Sequence, residues 1–221
     1  MYTRETIHSG AWLGSLALPK ALIWTQAQID ASLAATMRAR PPGEDIWVFA
    51  YGSLMWNPLL NFDRREVATL QGWRRSFCIR MVAGRGSSEV PGRMLALEQG
   101  GTAQGVALRL TAAHLEDDLR VLWVREMIAG SYVPTWASLE LADGSQVTGI
   151  VFVANTTGIQ YERDASVESI ASIVAGATGA FGSNAEYVHK LERALSDCGL
   201  TDEYIADLAN VLRQKSNGTA P

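Results

Sequence analysis

The chain has 221 residues, 48% of them hydrophobic and 19% charged, with a formal net charge of −4. That length suits one domain, or one domain with an appendage, and is enough to bury a full core. No basic block or stripe is present, which argues against a nucleic-acid or polyphosphate partner, and no segment reaches the length of a membrane span.

Residues 1–45 read as an N-terminal extension rather than a domain. The segment from Leu13 to Trp24 is interrupted by Gly14, Pro19 and Lys20, a poor match to a signal peptide, so a cytoplasmic location is expected. Thr25 and Gln28 have the spacing of a capping box. Ile29, Leu33 and Met37 then repeat at helical spacing until Pro41-Pro42-Gly43 stops the helix. One amphipathic helix cannot bury its stripe alone, so it should pack on the main domain, which is placed at 46–215.

The main domain opens with Trp47-Val48-Phe49-Ala50-Tyr51-Gly52-Ser53-Leu54, an apolar strand running directly into a tight turn. Gly52 is free to take φ values that align successive amides into a concavity for a carboxylate or an oxyanion. An ordinary turn at a strand end is the alternative. Further strands are expected at 67–73, 76–82, 93–97, 104–110, 132–141 and 147–154, from β-branched and aromatic runs bounded by signals such as Asp143-Gly144. The stretch from Ala83 to Gly92 has no periodicity and reads as a mobile loop; it fits neither a dinucleotide fingerprint nor a phosphate loop. Arg64, Arg65, Arg74, Arg75, Arg80, Arg85 and Arg93 are spread over several elements and read as solvated surface, with one or two anion contacts allowed. Helices are expected at 111–127, at 167–176 with Asp164 or Ser166 as cap, from a cap at Asn184 to Gly199, and from near Thr201, with 216–221 a flexible tail. Strands first and helices around and after them make an α+β fold, a curled sheet or small barrel.

Glu126 stands out in the mid-chain helix. Leu115, Leu119 and Leu122 set an apolar stripe, and Glu126 continues it four residues later. A carboxylate facing inward at a helix C-terminal end has its pKa raised by desolvation and by the dipole, as general acid–base catalysis requires. A buried ion pair with Arg125 or another arginine, or a helix that ends early, are the competing readings. Glu116, Asp117 and Asp118 lie in the first turn of the same helix and read as a solvated cluster suited to the dipole. His8, His114 and His189 lack ligand spacing, which speaks against a zinc site. Ser53 has no Gly-x-Ser-x-Gly context and no evident histidine partner. Cys78 and Cys198 read as buried thiols in a reducing compartment.

Four motifs occur in order: Tyr51-Gly52-Ser53-Leu54 with Met55-Trp56-Asn57-Pro58, Pro91-Gly92-Arg93, Arg125-Glu126 before Gly130-Ser131-Tyr132, and Gly182-Ser183-Asn184-Ala185-Glu186-Tyr187. Together they resemble the ChaC-like, glutathione-specific γ-glutamylcyclotransferases over roughly 45–215. Ala50 stands where that family usually has glycine, and Ser131 replaces the second glycine of a Gly-Gly-Tyr run. The resemblance implies an α+β γ-glutamylcyclotransferase-like fold, a small β-barrel with flanking helices. It also implies release of 5-oxoproline and cysteinylglycine from glutathione, with no metal or organic cofactor. Carried over by motif, Glu126 is the catalytic residue, and Val48, Phe49, Ala50, Tyr51, Gly52, Ser53 and Leu54 form the substrate-binding stretch. Its amides would hold either the oxyanion or the substrate α-carboxylate. Tyr132 and Tyr187 are further candidates for substrate contact, Tyr187 being equally suited to the buried stripe of its helix. Arg93 would meet either the glycyl carboxylate or a surface ion pair. The rival functions are cyclisation of a different γ-glutamyl compound and a non-catalytic γ-glutamyl-binding domain.

Overall fold

A computed structural model of the chain describes residues 3–16, 18–43 and 45–218. Seven helices follow the chain among these residues: α1 (Arg4–Ser9), α2 (Ala11–Leu16), α3 (Gln26–Arg38), α4 (Leu115–Met127), α5 (Val167–Gly176), α6 (Asn184–Ser196) and α7 (Glu203–Gly218). The strands are β1 (Trp47–Ala50), β2 (Phe62–Met81), β3 (Gly92–Leu110), β4 (Tyr132–Leu141), β5 (Gln146–Ala154) and a minimal hairpin of β6 (Thr178–Gly179) and β7 (Gly182–Ser183). The first five close into a barrel in the order β1-β3-β2-β4-β5, with β1 parallel to β5 and the other pairs antiparallel. Val48, Phe49, Val106, Leu108, Leu139 and Ile150 are among the buried residues that fill it.

Two pairs of expected strands turn out to be continuous. β2 and β3 pair along almost their whole length, and register shifts at Phe62/Arg64, Gln71/Trp73 and Ser76/Ile79 absorb the polar interruptions that looked like strand ends. Such bulges bend a strand and increase its twist, as closing a barrel demands. One interruption, Arg75, is 3% exposed. Its guanidinium donates to the Tyr51 and Gln104 carbonyls and pairs with Asp202 at 2.9 Å, so it is a buried strut rather than the solvated surface expected.

Two indole N–H groups reach α3. Trp136 Nε1 donates to the Thr36 carbonyl and Trp123 Nε1 to Ser32 Oγ, which ties α3 across β4 and α4. This second partner explains why α4 is buried well beyond its leucine stripe, with Val121, Trp123 and Met127 enclosed alongside Leu119 and Leu122. The two short helices before α3 were not foreseen. α1 has its own capping box between Thr3 and Thr6 and ends at Gly10 with φ 70°. It also corrects the reading of the acidic first turn of α4. Asp118 is fully buried, accepts from the Asn61 amide at 3.1 Å and Asn61 Nδ2 at 3.0 Å, and pairs with Arg4. Asp117 pairs with Arg4 and with His8. At the other end of the chain α7 runs to Gly218, and 219–221 of the expected tail lie outside the described residues.

Two of the sequence motifs meet in space. The helix cap is Ser183, one residue earlier than expected, and Asn184 is the first residue of α6. Fully buried, its Oδ1 accepts from the Arg93 amide at 2.7 Å while its Nδ2 donates to the Arg93 carbonyl at 2.9 Å. The side chain thus takes the place of a neighbouring strand. Asn184→Ala leaves a buried donor and a buried acceptor unmet, and is expected to lower unfolding stability by about 2–4 kcal/mol in urea titration; a change below about 0.5 kcal/mol would rule this role out.

Candidate active site

The chain leaves β1 at Ala50 and enters a 3-10 turn at Ser53–Met55. This divides the stretch singled out from the sequence. Val48, Phe49 and Ala50 are fully buried strand residues of the barrel core, whereas Tyr51, Gly52, Ser53 and Leu54 line a cavity of about 340 Å³. That volume lies in the range of small-molecule sites. Gly52 takes φ −133° and ψ −134° and does not use the left-handed region open to glycine. Its lack of a side chain serves close approach instead, because a Cβ there would sit 2.9 Å from the Tyr187 hydroxyl and 3.4 Å from Leu95.

Arg125 and Glu126, in the last turn of α4, form the charged heart of the cavity. Arg125 is nearly fully enclosed; it pairs with Glu126 at 3.1 Å, donates to Ser53 Oγ at 2.6 Å and also donates to the Asn57 carbonyl. It therefore clamps the 53–57 turn to the helix that carries Glu126. The competing readings of Glu126 prove compatible: the carboxylate is ion-paired and also lines the cavity, with its side chain 15% exposed. Burial raises its pKa above the ordinary carboxylate value, against the pull of Arg125.

Three phenols surround it. Tyr51 donates to the Phe152 carbonyl at 2.6 Å and Tyr132 to the Leu95 carbonyl at 2.9 Å. Tyr187 stands edge-on to Trp56 and Phe77. Burial raises all three pKa values, and the negative charge of Glu126 raises them further, so each stays neutral near pH 7. With the protons of Tyr51 and Tyr132 committed to backbone carbonyls, those oxygens have lone pairs rather than protons to offer a ligand.

After α4, the chain turns sharply at Gly130, whose φ is 60°. A Cβ there would collide with the indole of Trp24, whose own amide donates to the Ile128 carbonyl at 2.8 Å. The extension thus buttresses the end of α4, and its Leu16 and Leu18 supply apolar wall to the cavity. Ser131 and Gln160, joined at 2.7 Å, line it as well.

Arg93 is the candidate that the fold keeps away. It is not among the cavity-lining residues, and its guanidinium pairs with Glu162 at 3.3 Å. Arg85 enters the site instead, from the loop read as aperiodic. That loop is held by the β6–β7 hairpin, through the Phe181 amide donating to the Gly84 carbonyl and Arg85 donating to the Ser183 carbonyl, each at 2.7 Å. Ser53 Oγ accepts from Arg125, and no histidine lines the cavity. Among the described residues no cluster of His, Cys, Asp and Glu is arranged to hold a metal.

Fold and site together define a member of a known class, and the comparisons give it a family: the chain belongs to the ChaC-like proteins, whose family pattern matches residues 46–215. The glutathione-specific γ-glutamylcyclotransferase of Escherichia coli K12 is 47% identical over 192 residues, covering 87% of this chain and 83% of that protein. γ-Glutamylcyclotransferase 2-1 of Arabidopsis thaliana is 30% identical over 77% of this chain and 83% of its own length. Among solved structures, the glutathione-specific γ-glutamylcyclotransferase from yeast superposes with a TM-score of 0.71 at 21% identity, covering 78% of this chain and 97% of that one, which shows a shared fold.

The contact between Gly52 and Tyr187 makes a specific forecast. Gly52→Ala is expected to destabilise the protein by about 1 kcal/mol more in the wild-type background than in Tyr187→Phe, where the obstructing hydroxyl is gone. Urea denaturation of the four proteins measures that coupling, and additive effects would show that the close approach does not constrain the turn.

Proposed function

We propose that the protein is a glutathione-specific γ-glutamylcyclotransferase, converting glutathione to 5-oxoproline and cysteinylglycine, with Glu126 as its general acid–base. The observation that carries this reading is a partly enclosed carboxylate of raised pKa, clamped beside the 51–54 turn in a cavity of small-molecule size. The names of the relatives point to the same substrate, above all that of the E. coli protein at 47% identity.

In water the γ-glutamyl α-amine is protonated and not nucleophilic. Glu126 holds the ammonium, with the Tyr51 and Tyr132 oxygens as further acceptors, and takes a proton from it. The freed amine attacks the γ-carbonyl carbon of the same molecule and closes a five-membered ring. Nucleophile and electrophile are already joined, so the cavity's task is to fold the substrate into a near-attack shape. The Ser53 N–H already donates to the Tyr187 oxygen; the other N–H groups at the head of the 53–55 turn have no partners within that turn, which suits them to the tetrahedral oxyanion or to the α-carboxylate. As the bond from the γ-carbon to the cysteinyl nitrogen breaks, Glu126 returns the proton to that nitrogen, then takes the second proton from the ring nitrogen and passes it to the departing amine, which leaves as an ammonium beside a neutral lactam. No water is consumed and no covalent enzyme intermediate forms.

Reduced glutathione is available in a reducing compartment, and a cytoplasmic location accords with that. Both cysteines are free thiols, and burial pushes Cys78 up to about 12, too high for it to act as a nucleophile. No described helix is long and apolar enough to cross a membrane.

Purified protein incubated with reduced glutathione is expected to yield equimolar 5-oxoproline and cysteinylglycine by mass spectrometry. Glu126→Gln should lose at least about 100-fold of that turnover, at the lower end of general acid–base effects; a variant that keeps more would remove Glu126 from the mechanism.

The raised pKa fixes two signs of pH dependence. The acid limb of kcat/KM is expected above the ordinary carboxylate range, with activity lost as pH falls through the raised value. For stability, the folded state binds more protons than the unfolded one between the ordinary and raised values, so stability falls as pH rises through that window. Glu126→Gln removes this cost. It also strips the enclosed Arg125 of its counter-charge, so the diagnostic is the slope rather than the midpoint: the fall in stability as pH rises through that window should disappear in Glu126→Gln, and an unchanged slope would contradict the burial argument.

A further inference from the structure

The cavity carries more positive charge than Glu126 balances. Arg125 is committed to Glu126 and the 53–57 turn, and three further cations line the site: Arg80, which faces Glu162 at 3.8 Å, and Arg85 and Lys190. The side chains of Arg80 and Lys190 are 49% and 42% exposed, whereas that of Arg85 is 12% exposed. Glu186 is shared between Arg85, at 3.2 Å, and Lys190, at 2.7 Å, so one carboxylate faces two cations. Arg85 is also held in place. Its Nη1 donates to the Ser183 carbonyl at 2.7 Å, and the guanidinium carbon lies 5.5 Å from the centre of the Tyr187 ring. With Nη1 anchored, Nε and Nη2 retain donors for a planar anion.

Tyr187 gives this cation its direction. The hydroxyl end of the ring borders Gly52, in the turn beside Glu126, while the ring itself carries Arg85. Tyr187 therefore borders both the turn that Arg125 ties to Glu126 and the guanidinium of Arg85. A γ-glutamyl tripeptide has matching poles, an ammonium at one end and a carboxylate at the other. Its last two residues, extended, span roughly 7 Å beyond the scissile carbonyl.

We propose that Arg85 is a specificity-determining residue that binds the C-terminal carboxylate of the tripeptide, so that substrates with no carboxylate at that distance are turned over poorly. This rests on the γ-glutamylcyclotransferase reading above. In a γ-glutamyl amino acid the carboxylate lies one residue nearer the scissile bond, about 3.5 Å short of the tripeptide's position, and in a γ-glutamyl amine it is absent.

The test compares glutathione with its glycyl monoethyl ester, which lacks only the terminal charge. Wild type is expected to favour glutathione by about 10–100-fold in kcat/KM, the scale of one charge-assisted pair, mainly through KM. Arg85→Met should bring that ratio close to 1, and Arg85→Lys should keep part of it. A residue that only supports the fold would lower both substrates together and leave the ratio intact, and that result would overturn the inference. So would a wild-type ratio near 1, which needs no variant to fold, or loss of the ratio in Lys190→Met but not in Arg85→Met. Turnover of neither substrate by wild type would bring down the parent reading, and this inference with it.

Discussion

A carboxylate enclosed at the end of a helix faces both desolvation and the negative pole of that helix, and Arg125 is what makes Glu126 tolerable there. The neighbouring guanidinium supplies the counter-charge at 3.1 Å, yet burial still outweighs it, so the pKa stays raised. A stronger pairing would pull the pKa back down, and its loss would let burial push it further up. The remaining donors of Arg125 go to Ser53 Oγ and the Asn57 carbonyl. One side chain thus tempers the effect of burial on Glu126 and fixes the turn beside it.

The rest of the fold secures the pieces that Arg125 joins. Arg75 holds the Tyr51 carbonyl from the barrel side and reaches Asp202 at the head of α7. Asn184 splices α6 onto β3 and so locates Tyr187 one turn further along. Trp24 seals Gly130 where the chain leaves α4. Each contact comes from a different part of the chain, and each replaces a solvated backbone or charged group with a protein partner. That is the condition for keeping polar chemistry in a poorly hydrated site.

Much of this was legible from local pattern. β1, β4 and α5 fall where the apolar runs and turn signals place them, and Glu126 declares itself by standing on an apolar face. The misses share a physical origin. Arg75 and Asp118 look like surface charges because their partners, Asp202 and Arg4, are more than 100 residues away. Arg85 lies in a segment without periodicity and enters the site only because the β6–β7 hairpin holds that segment. Arg93 looked equally suited to an anion, but its backbone is claimed by Asn184 and its guanidinium by Glu162. At Gly52 the close approach of the Tyr187 hydroxyl could not be read from the sequence, since a missing side chain and an unusual backbone conformation leave the same letter there.

The extension bears on the chemistry because of what the cyclisation does not consume. Hydrolysis of a γ-glutamyl amide needs a positioned water, whereas ring closure uses only atoms already in the substrate. An enzyme for the second reaction gains from excluding water, which would solvate the amine and compete for the carbonyl. Leu16 and Leu18 wall the cavity with side chains that offer water no partner, while Arg4 and its acidic partners in α4 anchor the segment that bears them. The buried acidic turn of α4 and the apolar wall of the site are in this sense one device: the ion pairs of Arg4 anchor the start of the extension, and Leu16 and Leu18 further along it line the cavity that holds Glu126.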